Sequence, residues 1–242
     1  MSHGFPDYGV AAPKQTTYAL SDMAELAARL GSINTFDRRG DIIWFDDFEE
    51  NINKWAQVPV GVGASIALST NAARSRAKSA KLTTGNLAND YALITRSLPV
   101  QTIGRIGFEH SFSVQGPYGY LEARLTFYSS LGEIEGALKL DLRNKRLYYH
   151  TTGDAWNLIA SNVKTPAATY LFHTLKFTVD FDTQKYLRAI LNNTEYDLTS
   201  YALYTNPPIA APLINVVLKM VTDAAFNRTL YVDDVIITQN EP

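Results

Sequence analysis

The stretch from Leu171 to Leu198, LFHTLKFTVDFDTQKYLRAILNNTEYDL, limits what this chain can fold into more than any other. Leu175, Phe177, Val179 and Phe181 alternate with Thr174, Lys176, Thr178 and Asp180, the period-2 pattern of a strand with one buried face. Asp182-Thr183-Gln184-Lys185 forms a short polar turn, and Tyr186 to Leu191 runs back as a second strand. Asn192-Asn193 follows, and asparagine tolerates the positive φ of a two-residue hairpin turn, so Thr194 to Leu198 is expected as a third strand. A meander of this kind makes the chain antiparallel β. The alternation also sets the register, with Phe177 inward and Lys176 and Thr178 toward water.

The pattern recurs along the chain. Ile42 to Glu49, IIWFDDFE, reads as the first strand of the body, followed by Trp55 and a loose segment, PVGVGAS. Ala80 to Thr84, Tyr91 to Leu98 and Ile106 to Val114 come next, then a loop tip at Gly116-Pro117-Tyr118-Gly119. Leu121, Ala123, Leu125 and Phe127 alternate with Glu122, Arg124, Thr126 and Tyr128. Gly136 to Leu142 and Arg146 to His150 pair across Arg143-Asn144-Lys145, and Gly153-Asp154 turns the chain into Ala155 to Ala160. LINVVLKMV from Leu213 and TLYVDDVIIT from Thr229 close the chain. About a dozen short strands at this spacing predict an all-β antiparallel sandwich, a jelly roll, over 41–242. Phe108, Phe112, Leu125, Leu140, Phe177, Val179 and Val235 are its expected core.

Residues 1–40 differ from the body. Gly4, Pro6, Gly9 and Pro13 interrupt any periodicity, which predicts an extended arm. The one convincing helix runs from Ser21, a good N-cap, to Leu30, with Gly31 ending it. Met23, Leu26, Ala27 and Leu30 make a stripe too short to be stable unless something covers it. Phe5, Tyr8, Tyr18 and Leu20 add apolar surface that is costly in water. Those residues dock either on the chain's own body or on a second copy, and self-association is the expectation.

Charge and composition exclude several classes. Of 242 residues, 22 are Lys or Arg and 24 are Asp or Glu, so no basic excess marks a nucleic-acid protein. No apolar run reaches the roughly 18–20 residues of a membrane-spanning helix. The first twenty residues lack a basic start and an apolar centre, so no secretory leader is expected. Cysteine is absent, which removes disulfides and thiolate metal sites. The 14 Tyr and 11 Phe suit strands in general, and a sugar-binding face in particular.

The strand FDDFE with a Trp soon after, LYYHTTGDAWNLI, TVDFDTQKYLRAILNNTEYDL and LYVDDVIIT together resemble the concanavalin A-like or galactose-binding-like jelly rolls. Such domains occur in carbohydrate-binding modules and in bacteriophage virion proteins. The block from GFPDYG through SINTFDRRGDIIWFDDFE is similar to the leaders of phage structural proteins. That resemblance implies a virion location, with other virion proteins or further copies of the chain as partners.

The same resemblance implies a structural calcium between the first and last strands, where this chain has Glu49, Asp233 and Asp234. Those acids would otherwise be solvent-facing or edge charges. Sugar binding calls for exposed rings near turns, and Trp55, Tyr118, Tyr120 and Trp156 are the candidates, with Trp44 assigned to the core. Catalysis has no support. The ExDxE strand of hydrolases with this fold is missing, and Glu133 and Glu135 are expected on a hairpin loop in water. His110, between Phe108 and Phe112, reads as a core histidine. The expectation is a non-enzymatic virion structural protein. The alternative is a carbohydrate-binding module or lectin-like adhesin, extracellular or on a cell surface.

Overall fold

A computed structural model describes residues 39–99, 104–129, 132–207 and 212–242. The expected arm and helix, with Phe5, Tyr8, Tyr18, Leu20, Met23, Leu26 and Leu30, lie outside the described residues. Sixteen strands occur among those described, and no helix. They are β1 (Asp41–Asp46), β2 (Ala56–Val60), β3 (Ser65–Ser69), β4 (Ser79–Thr83), β5 (Tyr91–Leu98), β6 (Arg105–Val114), β7 (Tyr120–Ser129) and β8 (Gly132–Asp141). After these come β9 (Arg146–Thr151), β10 (Ala155–Ser161), β11 (His173–Asp180), β12 (Lys185–Leu191), β13 (Thr194–Asp197), β14 (Tyr204–Asn206), β15 (Leu213–Val221) and β16 (Thr229–Gln239).

Two antiparallel sheets make the sandwich. Sheet A runs β13-β12-β11-β6-β16-β4-β3, with β1 also pairing β16. Sheet B runs β10-β9-β8-β7-β15-β5-β2, with β14 also pairing β8. Between them lies one apolar cluster, and the seven core residues expected from alternation are all in it. The β11–β12–β13 meander forms as the sequence predicts, with Gln184 and Asn192 at φ 54° and 55° in its two turns. His110 is fully buried between the rings of Phe108 and Phe112, and burial pushes its pKa down to about 3.

Three expectations need correction. The segment PVGVGAS is not loose: it ends β2 and begins β3, carrying the chain from sheet B to sheet A. Lys176 and Thr178 do point away from Phe177, but the outer face of sheet A is covered and both are buried. There Lys176 Nζ lies 2.8 Å from Glu241 Oε1, and Arg188 Nη2 lies 2.5 Å from Glu241 Oε2. The carboxylate from the end of the chain thus neutralises cations that alternation alone would leave in water. Glu133 and Glu135 lie within β8 rather than on a loop, and Glu135 is buried.

Candidate functional site

The strands of sheet B decide which side chains leave the core. In β7, Leu121, Ala123 and Leu125 are buried inward, so Tyr120, Glu122, Arg124 and Thr126 stand on the outer face. Directly opposed residues share a face. Register therefore places Lys219, Glu122, Lys139 and Tyr148 in one row across β15, β7, β8 and β9. His150 sits opposite Trp156, and Glu135 lies between Thr126 and Tyr204. Polar and aromatic side chains from six strands meet on this face.

An ion-paired centre organises it. The Arg124 guanidinium reaches Glu122 Oε2 through Nη2 at 2.9 Å and Glu135 Oε1 through Nη1 at 2.9 Å. His150 donates from Nδ1 to Glu135 Oε1 at 2.8 Å and from Nε2 to Asp154 Oδ1 at 2.9 Å. Burial disfavours the imidazolium, but the bonds to Glu135 and Asp154 outweigh it and hold the His150 pKa above its ordinary value. For Glu135, burial favours the neutral acid, yet His150 and Arg124 hold its pKa below the usual carboxylate range. The imidazole packs, tilted, 4.9 Å from the ring of Trp156 and 4.8 Å from that of Tyr204.

Beside this centre, Lys139 is caged by rings. Its ammonium is 4.6 Å from the centroid of Trp156, 5.1 Å from Tyr148 and 5.5 Å from Tyr120. Glu122, directly across the ladder, is drawn instead to Arg124 and, at 3.8 Å, to Lys219. Lys139 consequently makes no ion pair among the described residues. Next to it opens a cavity of about 450 Å³ lined by Gly119, Tyr120, Lys139, Asp141, Arg143, Asn144 and Asp223.

The four aromatic candidates therefore separate. Tyr120 and Trp156 come together around Lys139. Tyr118 is exposed on the adjoining loop, with the Arg228 guanidinium 4.5 Å from its ring. Trp55 offers no ring to a ligand: it is buried, stacked on Phe48, and its Nε1 donates to Asp46 Oδ2 at 2.9 Å. Trp44 packs edge-on against it, only partly buried. Arg124, Glu135, His150 and Lys139 were not among the sequence candidates. The one local signal was charge on alternate positions of an otherwise apolar strand.

The acids considered for calcium are held by protein donors. Asp233 Oδ2 accepts the backbone N–H groups of Arg74 and Ser75 at 2.7 and 3.0 Å. Asp234 accepts the Ser75 hydroxyl at 2.7 Å and Arg74 Nη1 at 3.0 Å. Glu49 Oε1 accepts from the N–H groups of Ala77 and Lys78 at 2.8 and 2.7 Å. The charge facing the aspartate pair is a guanidinium, and among the described residues no group of three or more acids or histidines could hold a metal ion.

No protein-family profile and no curated protein matches the sequence. Solved structures do match the fold. The cellulose-induced protein Cip1 aligns with TM-score 0.57 at 17% identity, over 81% of this chain and 97% of that one. An endo-β-1,4-glucuronan lyase from the fungus Trichoderma reesei aligns with TM-score 0.57 at 9% identity, over 81% and 95%. A carbohydrate esterase from the Shiga toxin-encoding bacteriophage phi24B aligns with TM-score 0.53 at 14% identity, over 81% and 97%. What these likenesses show is the fold: the chain is an antiparallel jelly-roll β-sandwich.

Proposed function

We propose that this protein is a glycan-binding β-sandwich whose ligand lies on the outer face of sheet B. One observation carries the reading: Tyr120, Tyr148 and Trp156 gather around Lys139 beside an open cavity. Rings offer flat apolar surfaces to the C–H faces of a pyranose, while the neighbouring polar groups take its hydroxyls. The three fold neighbours, a cellulose-induced protein, a glucuronan lyase and a carbohydrate esterase, support the same ligand class. Binding rather than turnover is favoured by His150, which is buried with both ring nitrogens engaged by carboxylates. Affinity electrophoresis through a panel of soluble polysaccharides tests this. Retardation by at least one of them, lost in Trp156→Ala and kept in Trp55→Phe, is the expected result. No retardation across the panel, or equal retardation of the two variants, contradicts it.

We further propose that the protein works as a structural component of a virion, assembled through residues 1–40. The sequence resemblance of its leader and the likeness in fold to a bacteriophage protein support that placement. Deleting residues 1–40 should convert an oligomer into a folded monomer by light scattering. A parent that is already monomeric contradicts assembly through this segment.

A further inference from the structure

Two cations on this side of the molecule are held by aromatic rings and lack a carboxylate. Lys139 is the first. Arg228, between β15 and β16, is the second: its guanidinium lies 4.5 Å from the ring centroid of Tyr118 and 5.5 Å from that of Phe226. Among the described residues Arg228 makes no side-chain hydrogen bond and no ion pair, and its Nε is buried without a partner. Most other arginines here are engaged: Arg74, Arg76, Arg105, Arg124, Arg143 and Arg188 each face an acid within 3.5 Å.

The short segment Tyr118-Gly119-Tyr120 joins the two sites. Tyr118 serves Arg228, Tyr120 serves Lys139, and Gly119 lines the cavity beside Lys139. Gly119 adopts φ +79°, and a side chain there would run into the Val221 carbonyl, so the two tyrosines are presented from a tightly fixed backbone. Phe226 remains two-thirds exposed beside Arg228. A ligand that completes this surface must bring both an apolar ring face and hydrogen-bond acceptors carrying negative charge.

Carboxylate fits better than phosphate. The cavity already holds Asp141 and Asp223, the latter 3.5 Å from Arg143, and these acids oppose a second negative charge on one group. The Arg228 guanidinium, held over the Tyr118 ring, presents a planar fork of N–H donors that matches a planar carboxylate.

We propose that the ligand is an acidic glycan bearing ring carboxylates, a polyuronate, and that Lys139 and Arg228 are the two points that receive those carboxylates. The proposal rests on the glycan reading of sheet B and adds the chemistry of the sugar. The test compares binding of the full-length protein to polygalacturonate, alginate and polyglucuronate with binding to the same polymers after carboxyl reduction. Lys139→Met and Arg228→Met are measured in parallel, with circular dichroism confirming that they fold, and Lys139→Arg as the charge-preserving control. The expected result is binding to at least one polyuronate that weakens about tenfold or more in each methionine variant. Lys139→Arg should keep most of the affinity, and the reduced polymer should bind at least tenfold less tightly, on the same reasoning about a lost charged hydrogen bond. Equal binding of native and reduced polymer, or folded methionine variants that bind like the parent, overturns the acidic-sugar assignment while leaving the glycan reading intact. Failure to bind any polysaccharide, acidic or neutral, overturns both.

Discussion

The Tyr186 hydroxyl crosses the core of the sandwich to donate to the carbonyl oxygen of His150 at 2.8 Å. The Tyr186 hydroxyl oxygen in turn accepts the backbone N–H of Ala137 at 2.8 Å. Tyr186 belongs to β12 of sheet A, whereas Ala137 and His150 belong to β8 and β9 of sheet B. One buried phenol thus ties the two sheets together directly behind the ion-paired centre, and burial pushes its pKa up.

Tyr186→Phe should destabilise the fold by about 1–3 kcal/mol, because it strands a buried donor and a buried acceptor. Denaturant unfolding measures this. A loss below about 0.5 kcal/mol would show that the hydroxyl is no tie between the sheets.

The His150 imidazolium gives a stability term with a definite sign. Its folded pKa lies above the unfolded one, so the stabilisation is complete below about pH 6.5 and is lost as pH rises through the folded value. Glu135→Gln removes the hydrogen-bonded carboxylate and should bring the titration down. NMR of the imidazole Cε1–H in both proteins tests it, and an unmoved titration in the variant would contradict the pairing.

Asp233 behaves oppositely to an ordinary salt-bridged acid. Burial, then the charge of Asp234, push its pKa up to about 7, against the N–H groups of Ser75, Arg74 and Asp234. The unfolded chain gives up this proton near pH ~4, so stability falls as pH rises from there to about 7 and is level above. Asp234→Asn should flatten that fall, seen in unfolding free energies measured at several pH values; an unchanged slope would contradict it. Because protein donors already occupy Asp233, Asp234 and Glu49, excess EDTA should leave Tm unchanged. A lowered Tm would restore the calcium expected from the sequence.

What the sequence made legible was one face of each strand. Phe177 inward and Asn192 in a turn follow from alternation and backbone preference, both local properties. Local pattern says nothing about what covers the opposite face, so Lys176 read as solvated although Glu241, 65 positions later in the numbering of the chain, neutralises it. The sheet B site was hidden for the same reason. Glu135, His150 and Arg124 are unremarkable separately, and only the β7–β8–β9 register brings them together. Trp55 failed as a candidate because closeness to a turn does not reveal burial; its indole is held by Asp46.

The network on sheet A is testable on its own. Glu241→Gln removes the carboxylate shared by Lys176 and Arg188 and should cost about 3–5 kcal/mol, as breaking a buried ion pair does. A change under about 1 kcal/mol, the size expected of an exposed pair, would mean the residue is not buried in solution.

The most direct measurement of the sheet B assignment uses the 3 tryptophans as reporters. Trp156 lies on the outer face of sheet B, whereas Trp55 is buried with its N–H on Asp46 and Trp44 packs against it. In a 15N-labelled sample titrated with a polysaccharide that the protein retains, the Trp156 indole N–H should shift and saturate while that of Trp55 stays in place. Binding that leaves the Trp156 signal unmoved would contradict the assignment of this face as the glycan site.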